Sequence, residues 1–288
     1  MVHVTQIERL LIPGPAGGLE AVLEFDPQAT PPYSALVCHP HPLYGGTMHT
    51  KIVYRAAKAA LQEGLPALRF NFRGVGRSQG QFAHGQGEQE DVRAALGWLR
   101  ARYPTKRVVL MGFSFGSAVG LRVGAFDGGV VALIGIGLPV QNYDFSYLRS
   151  CAKPKLIIEG TKDPFGPRAL VEQLVATFAP PKTLHWVEGG DHFCNGRLDE
   201  VRDVIRSFIR LPELADDSQT SLDPVLSQNS TSPTQAPTNL PDQKERGPFY
   251  CPRCGEEVTD PLACGDCGAV ICRRCGTPVE KADELGIG

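Results

Sequence analysis

The chain has 288 residues, 42% of them hydrophobic, and a formal net charge of −2. This length suits one large core plus a smaller unit, taking roughly 100 to 200 residues per domain. A charge near zero supplies no global field for nucleic acid or an anionic surface, and no stretch approaches the roughly 20 apolar residues that span a bilayer.

The opening residues show no basic segment leading into an unbroken apolar run, so a cytoplasmic protein without a membrane partner is expected, and no nucleic-acid partner is expected either. Of nine cysteines, Cys38, Cys151 and Cys194 are scattered, and six crowd between Cys251 and Cys275. Paired cysteines without a secretion signal point to a metal site rather than to disulfides.

In chain order, residues 4–25 alternate weakly and are broken by Pro13-Gly14-Pro15 and Gly17-Gly18, which suits a hairpin. Ala35 to Cys38 reads as a buried strand. Ile52, Val53, Ala56, Ala57, Ala60 and Leu61 fall at helical spacing, with Gly64 as the stop. Further strands are expected at 67–72, 108–113, 130–136, 156–159 and 183–187. Helices are expected on Val92 to Leu99, after Ser114, near 167–178, and on Leu198 to Ile209. Strands apolar throughout, separated by amphipathic helices, predict an α/β fold, a mostly parallel doubly wound sheet covered on both faces. Active sites in such sheets lie at the carboxyl ends of the strands.

Residues 1–211 are therefore expected to form this domain. Residues 212–247, rich in Ser, Thr, Gln, Asn, Pro and Asp and without an aromatic residue, read as a disordered linker. Residues 248–288 read as a small cysteine-rich module.

The stretch Gly112-Phe113-Ser114-Phe115-Gly116 follows an apolar run and opens a helix. A serine there sits on a tight strand-to-helix turn that only glycine neighbours allow. Its hydroxyl needs a base, and the base needs an orienting carboxylate. His192 lies just past the last strand and Asp163 just past strand 156–159, so both fall on the rim of Ser114; Asp144 and Asp191 compete less well. Two backbone amides should hold the oxyanion. One is that of Phe115. The other comes from the loop His39 to Gly46, where Pro40 and Pro42 have no N–H; His41 is preferred, with Leu43 behind it. A metal on His39 and His41 lacks a third ligand nearby. Asn71 to Ser78 fails the dinucleotide fingerprint and reads as a strand-end turn bordering the site, with Arg73 holding that turn by hydrogen bonds in the preferred reading and touching substrate in the alternative.

Cys38-His39-Pro40-His41-Pro42-Leu43-Tyr44-Gly45-Gly46, Arg69 to Ser78, Gly112 to Gly116, Asp163 and Gly190-Asp191-His192 together resemble the small alpha/beta-hydrolase proteins near the dienelactone hydrolase group. The resemblance covers about residues 1–210. It implies a capless alpha/beta-hydrolase fold with Ser114 as nucleophile, Asp163 as acid and His192 as base. Dienelactone hydrolases proper carry a cysteine nucleophile, so their substrate is not inherited. The short segment between strands 130–136 and 156–159 leaves no room for a large lid. The open site should be bordered by Leu43, Tyr44, Phe115, Leu138, Phe165 and Phe193, and take an ester or thioester with a small or medium acyl group.

Cys251, Cys254, Cys264, Cys267, Cys272 and Cys275 form three C-x-x-C knuckles. Two knuckles supply the four sulfurs of a structural zinc, whose binding would provide much of a small module's folding free energy. The first two pairs are spaced as in a zinc ribbon, and the first and third resemble the first site of a RING-like module. About one zinc per chain is expected, with a protein partner through this module. The expected function is thus a serine hydrolase acting on a carboxylic ester or thioester. The alternatives are a binding or adaptor protein using the zinc module, or a peptidase or acyltransferase on the same residues.

Overall fold

The structure is a computed structural model and describes residues 5–211, together with five two-residue strands between Phe249 and Lys281. A hairpin opens the chain, β1 (Gln6–Gly14) against β2 (Gly17–Phe25). There follow β3 (Tyr33–Cys38), α1 (Lys51–Gln62), β4 (Ala67–Phe70), α2 (Gln86–Arg102), β5 (Arg107–Phe113) and α3 (Phe115–Phe126). The domain closes with β6 (Val130–Ile136), β7 (Lys155–Gly160), α4 (Arg168–Ala176), β8 (Lys182–Val187) and α5 (Leu198–Ile209). Short 3-10 turns at Pro42–Tyr44 and Ser146–Arg149, which periodicity does not mark, lie in loops.

The sheet order is β1-β2-β4-β3-β5-β6-β7-β8, with β2 antiparallel to β1 and β4 and every later pairing parallel. Parallel strands need covering on both faces. On one face α1 and α5 pack Ile52, Val53, Ala56, Ile205 and Phe208 against Val37, Met111 and Ile134. On the other, α2, α3 and α4 bring Val92, Leu96, Leu121 and Val171 onto Leu36, Leu110 and Leu133. Fully burying a side chain of the size of Ile205 stabilises by roughly 1.5–3 kcal/mol.

Two elements depart from the apolar pattern. β4 ends at Phe70, because Phe72 gives its N–H to Nε2 of His39 (2.9 Å) instead of to the sheet. α2 starts at Gln86, ahead of its first core residue Val92, because Glu88 accepts from the amides of Gly85 (2.7 Å) and Ala83 (2.8 Å). Among the described residues no helix is long and apolar enough to cross a membrane.

In the second unit, Asp217–Gly288, the strands are β9 (Phe249–Tyr250), β10 (Glu257–Val258), β11 (Leu262–Ala263), β12 (Val270–Ile271) and β13 (Glu280–Lys281). They pair as an antiparallel β10-β9-β13 sheet and a β11-β12 ladder. The expected linker 212–247 and all six clustered cysteines lie outside the described residues.

Candidate active site

Ser114 occupies the step between β5 and α3 with φ 55° and ψ −122°, a left-handed conformation that side chains avoid. Its own N–H donates to the Ile136 carbonyl at the end of β6 (2.9 Å), and its carbonyl accepts from Ser117 Oγ (2.6 Å) and Ser117 N (2.8 Å). A Cβ on Gly116 would lie 2.5 Å from the carbonyl oxygens of Cys38 and His39, and one on Gly112 would collide with Gly116. The glycines thus let the helix start against the end of β3. Further along, Cβ atoms on Gly120 and Gly124 would press on Leu110 and Leu133, so the small-residue face of α3 lies close on the sheet.

The loops after β7 and β8 are tied together. Lys162 N donates to the Gly190 carbonyl (2.9 Å), Thr161 N to that of Val187 (3.1 Å), and Gly189 N to Thr161 Oγ1 (2.8 Å). This lashing places Asp163 Oδ2 2.7 Å from His192 Nδ1, and His192 Nε2 2.9 Å from Ser114 Oγ. Asp163 Oδ1 accepts from Phe165 N (2.8 Å). A carboxylate can only accept, so Nδ1 carries the ring proton and donates to Asp163, which leaves Nε2 to accept from the Ser114 hydroxyl. The His192 ring is itself clasped by Phe113, Phe165 and Phe193, with centroids 4.9, 4.6 and 5.4 Å away. The competing carboxylates are engaged elsewhere: Asp144 with Arg122 (3.2 Å) and Asp191 with Asn195 (2.8 Å).

In the loop after β3, His39 is fully buried with both ring nitrogens engaged, Nδ1 with the Pro40 carbonyl (2.6 Å) and Nε2 with Phe72 N. It braces the loop and is not free to ligate. Burial holds its pKa down at about 3. His41 caps the 3-10 turn, its Nδ1 accepting from Leu43 N (3.2 Å), so the Leu43 amide is already used. The His41 ring packs on Tyr44 (4.3 Å) and Phe115 (4.8 Å), and burial, then the neighbouring His84, lowers its pKa to about 4. The Phe115 amide is the first of α3, ahead of the amides of Ser117 and Ala118 that the Ser114 carbonyl accepts.

The alpha/beta hydrolase domain family matches residues 37–203. The chain belongs to the alpha/beta hydrolase family. A Rickettsia prowazekii relative, the uncharacterized protein RP471, is 35% identical over 207 residues, spanning 68% of this chain and 86% of its own length. Among solved structures, XC6422 from Xanthomonas campestris, described as an alpha/beta serine hydrolase without lid, is 36% identical with a TM-score of 0.66, covering 71% of this chain and 94% of that one. An alpha-beta serine hydrolase homologue from Coxiella burnetii is 39% identical with a TM-score of 0.66, covering 69% and 96%.

For this member of the alpha/beta hydrolase family, the expected border residues divide. Leu43 is 49% exposed and Tyr44, Phe165 and Phe193 are half-buried, on the loops that follow β3, β7 and β8. Leu138 instead turns into the core beneath Gly135 and Leu121, and Phe115 is buried under His41, Phe82 and Tyr143; these two do not border open space. Arg73 holds its turn, its guanidinium on Asp91 (2.8 Å) and its N–H on the same carboxylate (3.0 Å). Sequence reasoning passed over Glu159, a fully buried carboxyl at the end of β7. The available signal was an acid following Leu156-Ile157-Ile158, four positions before Asp163.

Proposed function

We propose that this chain is a serine hydrolase that cleaves a carboxylic ester or thioester through an acyl-enzyme on Ser114. The observation that carries the reading is the unbroken path from Ser114 Oγ to His192 Nε2 (2.9 Å) and from Nδ1 to Asp163 (2.7 Å). The likeness to a protein described as a lidless serine hydrolase supports it. Ser114 Oγ attacks the carbonyl carbon as its proton passes to His192 Nε2, and Asp163 stabilises the imidazolium. The Phe115 and His41 amides hold the oxyanion, a donor of this kind being worth about 10²–10³ in rate. The imidazolium then protonates the leaving alcohol or thiol. Water then attacks the acyl carbon as His192 Nε2 takes its proton, and the imidazolium returns that proton to Ser114 Oγ as the acyl–Oγ bond breaks and the acid leaves.

Leu43, Tyr44, Phe165 and Phe193 form the walls of an uncovered site, which suits a small or medium acyl group. A p-nitrophenyl ester series of rising chain length tests this reading. Turnover of the short esters, lost in Ser114→Ala, is expected; cleavage of long-chain lipids alone would refute the substrate class.

For the C-terminal cysteines the proposal rests on their spacing: two of the three knuckles hold one structural zinc through four thiolates. Metal analysis of the purified full chain should return about one zinc, reduced when knuckle cysteines are changed to serine.

A further inference from the structure

We infer that Glu159 is a positioning residue for the Ser114–His192–Asp163 relay, its carboxyl joining the segment after β6 to the segment after β7 and so holding both walls of the slot in which the His192 ring sits. The inference rests on the serine-hydrolase reading. One wall is the backbone of Gly137, where a Cβ would stand 3.2 Å from His192 Cε1 and 3.3 Å from Nδ1. The other is the Phe165 ring, 4.6 Å from that of His192. Glu159 reaches the residue after each: its Oε1 accepts from Leu138 N, and a Cβ on Gly166 would lie 2.8 Å from its Oε2. Leu138 and Gly166 are themselves neighbours, since that Cβ would also be 3.3 Å from the Leu138 carbonyl.

The chemistry of the carboxyl fits a strut rather than a second charge. Glu159 is fully buried, Oε2 has no hydrogen-bond partner among the described residues, and no cation pairs with the group there. The ionisable groups that face it are Asp163, from its own loop, and the Cys194 thiol from the β8–α5 loop. Burial, then the negative charge of Asp163, raises the Glu159 pKa well above the usual carboxylate range. A neutral acid keeps the Leu138 bond, avoids an unpaired buried charge, and leaves Asp163 as the charge that orients His192.

The test is the rate at which Ser114 is phosphonylated by a fluorophosphonate, measured across pH for wild type, Glu159→Gln, Glu159→Asp and Glu159→Leu, with circular dichroism to check folding. Glu159→Gln keeps the shape and the acceptor for Leu138 N, so its rate should stay within about twofold and the acid limb of its pH profile should not move. Glu159→Leu and the shorter Glu159→Asp should be slower by about tenfold or more, because the walls lose their tie and the ring its alignment. A charged Glu159 would favour protonated His192, so its removal would shift the acid limb to lower pH. A downward shift of about half a unit or more in Glu159→Gln, or wild-type rates in either Glu159→Asp or folded Glu159→Leu, overturns the inference. Wild-type protein that never reacts overturns the serine-hydrolase reading and this one with it.

Discussion

Nδ1 of His192 and Oδ2 of Asp163 meet at 2.7 Å across 29 positions of sequence, inside a contact that leaves Asp163 buried and His192 only 8% exposed. The contact exists because Gly160 and Gly190 let the loops after β7 and β8 touch: a Cβ on Gly160 would strike the Gly190 carbonyl. Asp163→Asn keeps the shape but offers an amide that can present its NH2 to Nδ1, turning the tautomer so that Nε2 carries the proton. The hydrolysis rate should fall by about 10³–10⁴ with folding intact, as seen when a triad carboxylate loses its charge. Burst kinetics with a p-nitrophenyl ester would register the loss; an activity within tenfold of wild type would remove Asp163 from the relay.

The left-handed backbone of Ser114 stores strain at the site. Ser114→Gly should therefore be more stable than Ser114→Ala by about 1 kcal/mol, since glycine accepts φ 55° and alanine does not. Urea unfolding of the two inactive variants compares them directly. Equal midpoints would mean that the turn is relaxed.

Arg73 and Asp91 form a bidentate pair with the Asp91 side chain fully buried. Arg73→Ala leaves that carboxylate unpaired and should destabilise by about 3 kcal/mol. Arg73→Lys should recover little, because an ammonium lacks the planar fork. Denaturant titration distinguishes this bracing role from substrate contact, which would change KM and leave the midpoint in place.

His39 is buried neutral with a pKa near 3, below that of an unfolded histidine. Between those values the unfolded chain binds the extra proton, so stability falls as pH drops, by up to about 1.4 kcal/mol per pH unit from this group. His39→Leu, which has no acceptor for Phe72 N, should be less stable than wild type at pH 7 yet lose less between pH 7 and pH 5. A parallel decline in both proteins would contradict a neutral buried His39.

The sequence announces much of this architecture because its signals are local. β6 spans the apolar run Val130–Ile136 in full, and the two glycines around Ser114 mark a turn that crowding alone explains. Ser114, Asp163 and His192 each follow the carboxyl end of a strand, and that position alone puts them on one rim. What stayed hidden depends on partners far along the chain. The early end of β4 follows from a His39 ring nitrogen 33 positions away, and the inward turn of Leu138 from Gly135, Leu121 and Ile157 around it. Glu159 was missed for the same reason: an acid in an apolar strand acquires its meaning only from Leu138 and Gly166, which other segments bring to it.

The most direct measurement of an activated Ser114 is fluorophosphonate labelling of the purified full chain, with the modified peptide mapped by mass spectrometry, beside Ser114→Ala and His192→Ala. A single phosphonylated residue, Ser114, is expected, with no labelling in Ser114→Ala and a rate reduced by about 10³ or more in His192→Ala. Folded wild-type protein that remains unlabelled, or labelling that persists in Ser114→Ala, would contradict an activated Ser114.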